Sequence, residues 1–318
     1  MSARRLLAAL FFFAAPLLIA LRAGTEDAVA GEPADAEAPA DAAREAARET
    51  KTKVWEELAK AACPSDMLFT RGSCIDRYEA SMVDRDTGEP LSPYYPPHPT
   101  LLRKVFASWE VLRTESGDAA ARRMPLPALP RWQQAHDFIP KAMSLPGKVP
   151  QAYVSYHVAK RACESAGKRL CSRDEWVTAC RGRWQTQYPY GNEFRRLSCN
   201  VYRYLHPAHV LHGLSQMHQL DPRFNLISVA GDPVLKDTGA MPNCKSPWWN
   251  GQAAHDMVGN LDEWIEDETG EFRGGFYARA TTKGCDAQVR SHGPDYFDYS
   301  TGTRCCKDAV EASAGNVP

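Results

Sequence analysis

The sequence predicts a loop-rich fold of short helices and short strands, stapled by disulfides. Three observations carry this. Glycine (21) and proline (23) are plentiful in the 318 residues, while stretches of helical periodicity are sparse. The cysteine count of ten is even. The N-terminus has the form of an export signal, which puts the chain where disulfides persist. Hydrophobic content of 44% and charged content of 24% are ordinary for a globular protein, and the length suits one large domain or two small ones. A formal net charge of −1 argues against a nucleic-acid binder, which needs a basic face.

Taken in order, Arg4 and Arg5 precede an apolar run over residues 6–21, with Ala23 and Gly24 as small residues for cleavage, so residues 1–23 read as a signal peptide. The run is short for a membrane span, which needs roughly 20 apolar residues. Only an uncleaved segment would tie the chain to a membrane. The expected location is periplasmic or secreted. Residues 24–62 form an Ala/Glu/Pro-rich disordered tether with a short helix around residues 41–62, where Val54, Trp55 and Leu58 make a docking stripe. The folded domain is expected over 63–308 and a disordered tail over 309–318.

Cys63 and Cys74 bracket an apolar segment and Gly72, which fits a hairpin-like loop closed by a disulfide. Residues 90–99 hold five prolines and exclude regular structure. Residues 101–112 are compatible with a helix, and 124–130 with an extended surface path. Ser155 can N-cap a helix that Gly167 stops. Ser172 and Glu175 form a capping box for a second helix carrying Trp176, Ala179 and Cys180, ending at Gly182. Residues 188–191 read as a turn, Cys199 and Cys244 bound a long irregular excursion, and 272–277 and 302–306 read as strands.

The chemistry concentrates in HDMVGNLDEW, residues 255–264. Gly259 and Asn260 signal a turn, and such a turn can aim carbonyls and carboxylates at one hard cation such as calcium. An acidic surface turn anchored by Trp264 accounts for the same residues. His206, His209, His212 and His218 form the one histidine cluster, readable as a metal site or as surface histidines of a long insert. Trp248 and Trp249 read as a core plug or as an exposed aromatic patch for a ligand.

The ordered landmarks YVSYHVAKRACESAGKRLCSRDEWVTACRG, YPYGNEF, SCN, HDMVGNLDEW, FRGGFY and GTRCC resemble the formylglycine-generating enzyme (sulfatase-modifying factor) family. The resemblance implies an α+β domain, a variant of the C-type-lectin-like fold with few helices and short antiparallel sheets. It implies calcium held by Asp256, the carbonyls of Gly259 and Leu261, and Glu263. A second calcium would use Asn200 and the Val201 carbonyl, with Asp232 and Asp237 competing as the acidic ligand. It also implies disulfides Cys163–Cys305 and Cys180–Cys285. Cys305 and Cys306 need separate partners because strand neighbours point to opposite faces. Cys171–Cys306, Cys63–Cys74 and Cys199–Cys244 then use the remaining thiols.

Relatives that oxidise a substrate cysteine to formylglycine hold copper(I) with two cysteines just after the RGG strand, thiolates being soft ligands. Here no cysteine stands near Ala278 and Arg279, none is spare near Lys283 and Gly284, and Cys285 falls at the structural position. Copper is therefore not expected. Arg279, Arg290, His292, Asp295 and Tyr296 are the candidate groove residues, Arg290 and His292 for substrate orientation and proton transfer. A solvated polar loop explains them equally. The expectation is an exported, calcium-stabilised accessory module for a periplasmic or extracellular protein, peptide or glycan. Its alternative is a divergent oxidoreductase acting on a periplasmic peptide or small molecule.

Overall fold

The computed structural model describes residues 38–201, 206–213, 218–279 and 281–310, with the side chains of 38–40, 55–62 and 250 left out. The signal-peptide reading, the start of the tether and nearly all of the tail lie outside the described residues, as do the side chains of Trp55 and Leu58. The chain divides into two units, Met1–Ala46 and Ala47–Pro318. Ala38–Ala62 is one helix of 25 residues, longer than expected and rich in Ala, Glu and Lys.

The architecture is α+β. One four-stranded antiparallel sheet runs in the order Met67–Thr70, Ser73–Asp76, Cys305–Asp308, Arg169–Leu170. A second runs Gln288–Val289, Phe272–Arg273, Asp262–Trp264, Thr301–Thr303, with its last pair parallel. Ala80–Asp84 pairs with Pro140–Ser144. The last strand of the chain thus lies between two early ones and closes the first sheet.

Helices start where local chemistry places them. Ser155 caps Tyr156–Ser165 through its side chain to Val158 N–H, and Ser172 with Glu175 forms the full capping box of Arg173–Arg181. The proline-rich stretch ends in the helix Pro99–Leu112, two residues earlier than expected. Proline there has no N–H to lose in the first turn, and His98 caps Leu101 N–H. Residues 124–130 carry no regular structure between the short helices Ala119–Arg123 and Arg131–Ala135.

Two expected strands are each interrupted. The 272–277 run is a strand only over Phe272–Arg273, because Gly274 and Gly275 take φ of +93° and +79°. The 302–306 run is two strands in different sheets, Thr301–Thr303 and Cys305–Asp308, parted at Arg304. Five disulfides join Cys63–Cys74, Cys163–Cys305, Cys171–Cys306, Cys180–Cys285 and Cys199–Cys244. Cys305 packs with Tyr156, Trp264 and Phe272, and Cys306 with Trp176, Trp248 and Ile265. The two neighbours therefore staple two separate cores to opposite faces of one strand.

Candidate functional site

Residues 255–264 fold back from the strand Ala253–His255 to Asp262–Trp264 through left-handed backbone at Asp256 (φ +57°), Gly259 (+86°) and Asn260 (+62°). Any side chain at Gly259 would meet the Asn200 carbonyl oxygen, which lies 2.4 Å from where its Cβ would be. Asn260 then acts as a hub. Its Nδ2 donates to Glu79 Oε2 (2.6 Å), and its Oδ1 accepts from Lys236 N (2.9 Å) and Asn200 Nδ2 (2.8 Å). Glu79 Oε1 accepts Leu261 N–H (3.0 Å) and Asp256 Oδ2 accepts Gly239 N–H (2.6 Å).

Glu263 faces the buried Arg304. Nε reaches Oε2 and Nη2 reaches Oε1, each at 2.7 Å, and the Trp176 indole N–H donates to Oε2 at 2.6 Å. Glu79, Asp256 and Glu263 are all buried against this one guanidinium. Burial, reinforced by Asp256 and Glu263, holds the Glu79 carboxyl well above the usual range, and burial raises Asp256 despite Arg304. Sequence reasoning did not assign a role to Glu79, because its partners are about 180 positions away. Arg304 carried a signal, a charge inside an otherwise strand-like run.

Among the described residues, no group of three or more His, Cys, Asp or Glu side chains is placed to hold a metal. Calcium at this turn would rest on backbone oxygens as much as on carboxylates. The Gly259 and Leu261 carbonyls accept no hydrogen bond from the described residues. Glu263 Oε1 takes a single one, from Arg304. With Asp256 these are oxygen donors of the kind a hard cation takes. At the second expected site, Asn200 Nδ2 is turned to Val234 O (3.0 Å) and to Asn260, Val201 is buried, and Asp232 pairs with Lys236.

Near Ala278 and Arg279, where the family resemblance places a first catalytic cysteine, the Arg279 side chain is engaged. Its Nη1 and Nη2 fork onto Asp262 Oδ1 and Oδ2 at 3.0 and 2.8 Å, and Asp262 Oδ1 also takes Gly275 N–H at 3.0 Å. Burial pushes Asp262 up to about 7 against the pull of Arg279. All ten cysteines are in disulfides.

Arg290 and His292 make separate contacts. Arg290 Nε binds Glu271 Oε2 at 2.6 Å, a buried carboxylate also held by Arg173 and Arg273. The His292 ring stacks on Tyr296 at 3.8 Å, and the Tyr296 hydroxyl donates to buried Asp298 Oδ2 at 2.5 Å. Asp295 is exposed beside His157. With the Arg279–Asp262 pair, the candidate groove residues thus make four separate contacts.

The histidines divide too. His206 caps the helix Pro207–His212 and meets the Tyr299 hydroxyl at 2.9 Å, with the His209 ring 5.7 Å away. His212 Nε2 lies 2.8 Å from Asp221 Oδ2, which also binds Arg223, and the His218 ring is 4.6 Å from His212. The tryptophan pair splits: Trp248 is buried with its N–H on the Ala179 carbonyl (3.2 Å), while Trp249 lines a surface cavity.

Known proteins resemble this chain over part of its length. A bovine protein named "Inactive C-alpha-formylglycine-generating enzyme 2" is 25% identical over 53% of this chain and 46% of its own. A formylglycine-generating enzyme of Thermomonospora curvata is 31% identical over 37% of this chain and 33% of its own. The chain spans about half the length or less of these curated relatives. Among solved structures, PvdO from Pseudomonas aeruginosa aligns with a TM-score of 0.34 and 15% identity, covering 74% of this chain and 80% of its own. The family model described as the sulfatase-modifying factor enzyme 1-like domain matches residues 130–313. With more than half of its length under that model, the chain belongs to the sulfatase-modifying factor enzyme 1-like domain family.

Proposed function

We propose that this chain is a non-catalytic member of the family, an exported accessory module that binds a protein or glycan outside the cytosol. One observation carries the reading: every cysteine is committed to a disulfide, so no thiolate pair is left to hold copper(I). The Arg279–Asp262 fork supports it, since it holds a guanidinium in the stretch, near Ala278 and Arg279, where the resemblance expects the first thiolate. So does the name of the bovine relative, which describes that protein as inactive. Export is supported by five disulfides, which persist in oxidising compartments. No described helix is long and apolar enough to cross a membrane. In this reading calcium is structural, held by Asp256, Glu263 and the Gly259 and Leu261 carbonyls.

The test is direct. The oxidised protein is incubated with copper(I), oxygen and a cysteine peptide of the sulfatase type, and the peptide is followed by mass spectrometry. No aldehyde should form. Aldehyde at a rate that depends on the protein would overturn the reading.

A further inference from the structure

Trp184 is an anomaly of this surface. It follows the Arg173–Arg181 helix, is 67% exposed, and carries the Arg183 guanidinium 4.3 Å from its ring centroid. It also forms a wall of two cavities. One, of about 460 Å³, includes Tyr190, Arg195 and Lys245 in its lining. The other, of about 620 Å³, includes Trp249, Arg71 and Arg183. Both volumes fall in the range of roughly 300–1,000 Å³ seen for ligand sites.

The charge around them is one-sided. The charged lining residues are Arg48, Lys51, Arg71, Arg183, Arg195 and Lys245, with no carboxylate. None of the six is in an ion pair among the described residues, although the chain as a whole balances 38 basic against 39 acidic residues. The Trp249 Nε1 and Arg183 Nε donors are buried and lack an acceptor. Unpaired cations and unfilled donors call for an oxygen-rich anion.

Aromatic faces narrow the class. Trp184 and Tyr190 line the smaller cavity, and Tyr190 is fixed by stacking on Tyr188 at 5.3 Å and 14°. Such faces suit flat, partly apolar ring bodies. The backbone at the rim is already satisfied: Tyr188 N–H donates to Gly191 O (2.8 Å) and Gly191 N–H to Tyr188 O (3.2 Å). A peptide adding as a strand finds no free ladder at that turn. We infer that the face around Trp184 binds an anionic polysaccharide, its sugar rings on Trp184 and Tyr190 and its carboxylates or sulfates on Arg195, Lys245, Arg71 and Arg183. The inference rests on the reading of the chain as a binding module and names its ligand class.

Binding of the full oxidised protein to polygalacturonate and to heparin is measured by titration calorimetry, with dextran, polyglutamate and a single-stranded oligonucleotide as comparison ligands. At least one of the two anionic polysaccharides should bind, more tightly than every comparison ligand, and which one binds separates carboxylate from sulfate. Arg195→Glu with Lys245→Glu should weaken that binding by about tenfold or more, and Trp184→Ala by a similar factor. Arg103→Glu, on another surface, should leave it unchanged. Thermal melts establish that each variant folds. No polysaccharide binding, or polyglutamate or oligonucleotide binding as tightly, overturns the inference. That result leaves the aldehyde assay untouched, and protein-dependent aldehyde would sink the non-catalytic reading whatever the glycan result.

Discussion

At the scale of single residues, Arg304 decides more than any other position. Its fully buried guanidinium donates to Glu263, to the Asp76 carbonyl (3.1 Å) and to the His255 carbonyl (2.8 Å), so it ties both four-stranded sheets to the acidic turn. Removing one partner of such a pair leaves a charge in a low-dielectric interior, and the penalty runs to about 3–5 kcal/mol. Arg304→Met should therefore lower stability to denaturant by about that amount, and adding Glu263→Gln should restore part of it. A single-variant loss below about 1 kcal/mol would contradict a buried, uncompensated charge here. His255, stacked on Tyr78 at 4.8 Å, is held down at about 4 by burial and by Arg77 and Arg304, so the ring stays neutral beside this cation.

At the scale of elements, local chemistry was readable from the residues, and long-range chemistry only where the family resemblance supplied it, as for Cys163–Cys305 and Cys180–Cys285. The capping box at Ser172 and the cap at Ser155 lie within three residues of their partners, so the string contains the whole argument. The breaks at Gly274 and Arg304 escaped because an extended run looks the same whether or not it changes sheets. What stops it is a contact elsewhere: a Cβ at Gly274 would stand 2.9 Å from the Met257 carbonyl oxygen, and Arg304 turns inward to Glu263. The glycine turn at residue 259 was legible, whereas its dependence on Glu79 and Asn200 was set by the fold. The same turn carries the calcium prediction. The melting temperature should be higher in calcium than in chelator, and Glu263→Ala should shrink that difference. Identical melts of the parent protein in the two buffers would remove the calcium assignment.

At the scale of the molecule, buried acids give stability a pH dependence. Asp76 is raised to about 6 by burial, although Lys168 and the Cys305 N–H both favour its ionised form. An unfolded aspartate titrates near 3.9. The folded state thus holds a proton that the unfolded state has lost between those values, and stability from this group is full below about pH 4 and is lost as pH rises through 6. The loss is on the order of 3 kcal/mol. Asp76→Asn keeps a neutral side chain at every pH, so the parent protein should lose stability relative to the variant as pH rises from about 4 to 6. A pH-independent gap between the two melting curves would contradict this.

The place of the strand Cys305–Asp308 sets the order in which this molecule can be made. Cys163 and Cys171 find their partners 142 and 135 residues later, on a strand that enters the sheet between two already synthesised neighbours. Until residue 306 has emerged, neither bond can form and the first sheet lacks its inner strand. A chain emerging from its N-terminus must therefore wait, with both thiols open, until residues 305 and 306 are out. In the exported reading proposed above, its closure belongs to the far side of a translocation step, in the company of whatever oxidant and isomerase that compartment supplies.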